Sequence, residues 1–189
     1  MSTMAVDNEM TYEQFGRQFF EIAVTEDRVG GAIAAIAGDE FSMGPMAQGP
    51  GNLAKVTAKV RVLHPRLTRD VGELITFDIR IPLEIDLVVD LRIDKPKFMV
   101  FGEIKLRATA RAAEPLLLIL DVEKPRPSDI SIHVTSKSLR AELVRILGNI
   151  DAEIKRFVAA HVAGEIDSPE SQKAKIIDVA DSIDGAWSG

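Results

Sequence analysis

From Leu74 to Ile93 the chain alternates without a break. Ile75, Phe77, Ile79, Ile81, Leu83, Ile85, Leu87, Val89, Leu91 and Ile93 fall on one side, and Thr76, Asp78, Arg80, Pro82, Glu84, Asp86, Asp90 and Arg92 dominate the other. Successive side chains of a strand point to opposite faces, so period two sustained this far specifies a half-buried strand. At about 3.3 Å per residue the run would reach ~60 Å, against roughly 5–6 residues in an ordinary strand. A strand of that length has to coil, bend or be interrupted. Pro82 has no amide to give to a ladder, so a bend, bulge or edge is expected there.

The next run reverses parity, with Phe98, Val100, Ile104, Leu106, Ala108, Ala110 and Ala112 on one face and Met99, Phe101, Glu103, Lys105, Arg107, Thr109 and Arg111 on the other. A hairpin turned at Asp94–Lys97 accounts for the reversal. If Ile93 faces Phe98, Asp86 stands opposite Lys105 and Glu84 opposite Arg107, and slips of two residues either way lose ion pairs. Gly102 marks a bulge or a close backbone approach. Leu53 to Val62, Leu116 to Val122 and Ile130 to Val134 supply further strands. The sheet expected is therefore an antiparallel meander of about five strands.

Thr11-Tyr-Glu-Gln14 has the spacing of a capping box, and it opens a helix with Phe15, Phe19 and Ile22 on one stripe and Phe20 and Ala23 beside it. Val29, Ala32, Ile33 and Ile36 form a second stripe behind Glu26 and Asp27, with Gly38 at its cap; the pair reads as two short helices or one kinked near Thr25. Gly44 to Gly51 mixes glycine and proline densely and reads as a loop, as does the polar connection His64 to Gly72. After Ser136 the apolar spacing lengthens to three and four residues through Leu139, Leu143, Ile146, Leu147, Ile150, Ile154, Phe157, Val158 and Val162, the mark of one long amphipathic helix lying on the sheet. Ser168-Pro169 starts a last helix with a weaker stripe at Ile176, Ala180, Ile183 and Trp187.

The fold class expected is therefore α+β: a long, curved antiparallel meander wrapped against a long amphipathic C-terminal helix, preceded by an N-terminal helical segment. Residues 11–165 form the single domain, 1–10 a flexible tail and 166–189 a helical extension.

Charge and chemistry narrow the function classes. The net charge of −6 argues against nucleic acid as a partner, whose phosphates require a concentrated positive footprint. There is no cysteine, hence no thiol nucleophile or thiolate metal site. The three histidines, His64, His133 and His161, stand on separate elements without metal-ligand spacing. Asp78, Glu84, Asp86 and Asp90 line one strand face, where a solvated charge ladder is the ordinary reading and paired acid/base carboxylates the sharper one. No nucleophile elbow, phosphate loop or dinucleotide fingerprint occurs. A chain without catalytic residues, metal or cofactor is expected, and no signal peptide or membrane span is read from the start given, which makes the cytoplasm the default location.

What remains is a large aliphatic interior. It is either a solid core or a sheet curved around a helix so as to leave an apolar groove fit for a lipid tail. The residues that would line such a groove are Phe15, Phe19, Ile79, Ile81, Leu83, Ile85, Leu87, Val100, Ile104, Leu106, Ala108, Ala110, Leu143, Ile150 and Ile154, with the small Ala108, Ala110 and Ala112 widening one end. The order of helix, loop, long alternating hairpin (Leu74 to Ile93 with Phe98 to Ala112) and long helix carrying Leu-Gly-Asn-Ile-Asp at 147–151 resembles the tubular lipid-binding superfamily. That group includes the bactericidal/permeability-increasing modules and small actinobacterial relatives, and the resemblance covers residues 11 to 165. It implies a sheet wrapped on a helix, acyl chains in a tunnel, and lipid binding or carriage without catalysis. The competing expectation is an interaction domain with a solid core. Its outward Val88, Met99 and Phe101, or its Trp187 stripe, would bury against a partner or a second copy in a homodimer.

Overall fold

The computed structural model describes residues 9–37, 40–134 and 141–187, without the side chains at 36–37, 50, 134, 141–149 and 187. The Gly38 cap, Thr135, Ser136, Leu139 and most of the N-terminal tail lie outside the described residues, as do the side chains of Ile36, Leu143, Ile146, Leu147 and Trp187.

The alternation starting at Leu74 becomes β4 (Ile75–Asp90), and its partner is β5 (Lys97–Ala113), strands of 16 and 17 residues that form the spine of the sheet. On one flank of β4 lie β2 (Ala54–Val62) and β3 (Arg66–Val71), one beyond the other. On the far flank of β5 lie β6 (Leu117–Val122) and β7 (Ile130–Val134), again in succession. β1 (Glu40–Gln48) pairs with β2, and β8 (Ile176–Asp178) pairs with β6. All eight strands make one curled antiparallel sheet.

Pro82 explains why the first flank is split. The Leu63 amide donates to the Pro82 carbonyl at 2.9 Å, so Pro82 turns its hydrogen-bonding side, the side where its amide is missing, toward β2 and β3. There the neighbour breaks: residues 63 to 65 stand against 81 and 82, one residue in excess. The extra residue flips the parity, so that even positions face inward in β2 (Val56, Ala58, Val60) and odd ones in β3 (Leu67, Arg69).

Among the described residues five α-helices accompany the sheet: α1 (Tyr12–Ala23), α2 (Glu26–Ala37), α3 (Ala141–Asp167), α4 (Pro169–Ala174) and α5 (Val179–Trp187). The capping box is present in full, with the Gln14 amide donating to Thr11 Oγ1 at 3.2 Å and the Thr11 amide to Gln14 Oε1 at 3.0 Å. Val29 and Ile33 of α2 are buried, and an added Cβ at Gly30 would stand 3.4 Å from the Leu67 side chain of β3, in van der Waals contact. On α3, Ile150, Ile154, Val158, Val162 and Ile166 repeat every fourth residue and are buried. The helix is tied to β1 by Gln48 Nε2 donating to Glu153 Oε2 at 2.9 Å and by His161 packed on Phe41, ring centroids 3.9 Å apart.

The expected architecture needs correction. The sheet has eight strands rather than about five, and the chain does not end on a long amphipathic helix: α4, β8 and the nine-residue α5 follow α3. Three strands were hidden in sequence read as loop or helix. β1 contains Gly44–Pro45, which sit unpaired in a bulge between Met43 and Met46; an edge strand tolerates proline, and Gly44, at φ 103°, comes so near β2 that an added Cβ would lie 2.5 Å from the Val56 carbonyl oxygen. β3 lies in the supposed connection. β8 interrupts the supposed last helix after Ser168 caps α4 as expected.

The hairpin register is also corrected. Asp86 lies against Met99 and Glu84 against Phe101, a slip of six residues from the expected pairing. The chain turns at Arg92–Ile93, where the Leu91 amide donates to the Asp94 carbonyl at 2.9 Å, instead of at Asp94–Lys97. Asp90 starts the turn early by accepting from the Arg92 amide at 3.0 Å, and Arg92 takes the left-handed φ of 69° that the turn demands. Ile93, expected inward, is 99% exposed at the tip. An even slip leaves every other inward residue inward.

Candidate functional site: an apolar cleft under the first helix

At the end of the spine away from the hairpin turn, the inward side chains become small. Ala108 faces Phe77 and Ala110 faces Ile75 across the β4–β5 ladder, and Ala112 follows. β3 runs out at Val71, and Gly72-Glu-Leu74 turns the chain into β4. Above this end lies α1, and between helix and sheet is an open cleft of about 390 Å³. That volume falls within the roughly 300–1,000 Å³ of small-molecule sites.

Ile75, Ala110 and Ala112 line the cleft from the sheet, Val71 and Leu74 from the turn, and Gly16 and Phe20 from α1. Nothing lies within 4 Å of where a Gly16 Cβ would stand. Glu13, Arg17 and Glu21, spaced by four and hence on one helix face, line it too, with Glu73 from the turn. One rung away, Arg69 faces inward opposite Phe77, and its buried Nε has no hydrogen-bond partner. Its amide, by contrast, donates to Glu26 Oε1 at 2.8 Å, which ties β3 to the start of α2. An apolar floor beneath charged groups suits an amphiphile, with its tail on the alanines and its head among the charges.

The groove residues expected from sequence divide four ways. Ile79, Ile81, Leu83, Ile85 and Leu87 of β4, Val100, Ile104, Leu106 and Ala108 of β5, and Ile150 and Ile154 of α3 are buried in one continuous core. Ala110 is buried as well and lines the cleft. Phe15 and Phe19 lie on the opposite side of α1, where they line a second groove of about 420 Å³ with Met10, Ile22 and Arg28. The Leu143 side chain lies outside the described residues. Sequence reasoning missed Gly16, Val71, Leu74, Ile75 and the four charges. The repeat Glu13, Arg17, Glu21 on a capped helix was the available signal.

The polar candidates resolve into ion pairs. Glu84 and Asp86 both reach Arg61 of β2, at 2.9 and 3.6 Å, and Asp78 pairs with Arg107 at 3.3 Å. Lys95 at 2.9 Å and the Arg92 amide hold the Asp90 carboxyl below its usual range. His64 and His133 are exposed on separate elements, and among the described residues no group of His, Asp and Glu is arranged to hold a metal ion. Outward Met99 and Phe101 are half-exposed beside Asp86 and Glu84, and no described helix is long and apolar enough to cross a membrane.

No family model matches the chain, and no curated protein does. Among solved structures it is similar to a lipopolysaccharide binding protein, with 13% identity and a TM-score of 0.40, over 82% of this chain and 39% of that one.

Proposed function

We propose that the chain binds a hydrophobic small molecule, a lipid or single acyl chain, in the cleft between α1 and the wide end of the sheet, and carries it without chemical change. The observation that carries the reading is the cleft itself: an open space of about 390 Å³ floored by Ile75, Ala110 and Ala112, with charges at Glu13, Arg17, Glu21 and Glu73. The absence of a reaction is part of the proposal, and the ion pairing of the β4 carboxylates is consistent with it.

Gly16 gives the test. Gly16→Leu places an apolar side chain into empty space on the cleft side of α1, and leucine is a better helix former than glycine by several tenths of a kcal/mol. The wild-type chain is expected to bind a fluorescent acyl probe displaceable by unlabelled fatty acid or fatty alcohol, and Gly16→Leu to weaken binding at least ~10-fold, about 1.4 kcal/mol. No binding by the wild type, or equal binding by the variant, overturns the proposal.

A further inference from the structure

α1 is turned the wrong way round for a helix that merely covers a core. Its charged stripe, Glu13, Arg17 and Glu21, lines the cleft toward the sheet, while Phe15, Phe19 and Ile22 point away from it; Phe15 is 59% and Ile22 64% exposed, and the helix buries none of its residues completely. The spacing 15, 19, 22 is the four-then-three step of a helix-pairing seam. The Phe15 and Phe19 rings stack at 6.4 Å, so the stripe is a formed surface.

We infer that this face is an interface with a second copy of the chain, the two α1 helices packing antiparallel about a two-fold axis near Gln18 and Phe19. The face is self-complementary in shape: Phe15, Phe19 and Ile22 stand out beside the ~420 Å³ groove that Met10, Ala23 and Arg28 complete, so each copy offers both ridge and hollow. It is self-complementary in charge. Glu9 stands beside Met10 at one end, and at the other Arg28 closes α1, its Nη1 donating to the Ala23 carbonyl at 2.9 Å. An antiparallel pair sets each Glu9 against the Arg28 of the other copy and each helix N-terminus beside a C-terminus, which the macrodipoles favour. A bilayer is the weaker match, since α1 carries two glutamates and one arginine on a chain of net charge −6. A helix of 12 residues is about 18 Å long, too short to bury the roughly 1,200–2,000 Å² of a standard interface, so the dimer is reversible and concentration-dependent.

Sedimentation equilibrium over a concentration series tests this, with chemical shifts confirming that each variant is folded. The wild type is expected to dimerise and Phe19→Glu to raise the dissociation constant at least ~10-fold. Glu9→Arg and Arg28→Glu are each expected to weaken the dimer, and the double variant to restore it. The chain has no cysteine, so Gln18→Cys should oxidise to a disulfide-linked dimer while Met10→Cys does not. A wild type that stays monomeric throughout overturns the inference. So does a monomeric chain whose binding to phosphatidylcholine vesicles is abolished by Phe19→Glu, since the face then belongs to a lipid surface.

Discussion

The two halves of the β4–β5 hairpin carry the same alternation, yet one is filled to its end and the other borders an open cleft. Toward the hairpin turn, Ile85, Leu87 and Val89 face Val60, Ala58 and Val56 of β2, all fully or almost fully buried. Toward the other end, Ile75 faces Ala110 and lines a cleft. Small side chains do not make the difference, because Ala54 and Ala58 in the filled half are buried as deeply as Ala108. The covering helix does. The core takes a row of branched aliphatics from α3, whereas the open end receives Glu13, Arg17 and Glu21 from α1. Alternation determines which face of a sheet is apolar, and the element laid over it determines whether that face is sealed.

The largest expected effect tests this contrast directly. Ile85→Ala in the filled half removes atoms from a closed space and should lower the free energy of unfolding by ~2–5 kcal/mol. Ile75→Ala, beside a cleft already open to water, lacks most of the cavity penalty and should lower it by roughly 2 kcal/mol or less. Urea unfolding measures both, and equal losses would break the comparison. Next in size is Thr11→Ala, which removes the helix cap and should weaken α1 by ~1 kcal/mol. Because α1 has no fully buried residue, amide exchange should quicken in residues 12–23 while the protection of β4 and β5 hardly changes. If β4 loses protection in parallel, α1 and the core unfold together.

The smallest effect lies at the turn that ends the filled half. Lys95 and the Arg92 amide lower the Asp90 carboxyl in the folded chain. The stability linked to it is therefore present above the ordinary carboxylate range and is lost as pH falls through the lowered folded value. The Lys95–Asp90 pair is open to solvent, so the effect on overall stability is slight. Lys95→Ala should raise the Asp90 midpoint in a carboxyl-detected NMR titration, and an unmoved midpoint would show that the ion pair does not hold the early turn.

Local rules read correctly where they competed with nothing. Thr11 and Gln14 cap α1, Ser168 caps α4, and the alternation gives the buried face of β4 residue by residue and that of β5 from Val100 to Ala110. Gly102 marks a close approach, since an added Cβ would stand 2.9 Å from the Ser131 carbonyl oxygen on β7. Pairing between distant elements was less legible. The expected register matched Glu84 and Asp86 to cations on β5, but these carboxylates meet Arg61 on the opposite flank, which no charge pattern in one hairpin can reveal. Two of the three strands missed share a cause. β1 and β8 lie at the ends of the sheet path, where a neighbour's ladder holds sequences too rich in glycine and proline, or too short, to look like strands alone. The candidate cleft was missed for the reason that makes it a cleft, since the groups around it are charged and charged helical faces read as solvent-facing.

The bulge in β1 also bears on the solubility of the folded chain. An open sheet has two free edges that can recruit strands from other molecules, and a long flat edge is the template for fibrous growth. Here one such edge is β1, where Gly44 and Pro45 drop out of register and divide the ladder into a run of four residues, 40–43, and one of three, 46–48. Neither is long enough to seed a stable added strand, and Pro45 offers no amide to an incoming one. The kink that disguises β1 as a loop thus guards the edge against indefinite polymerisation.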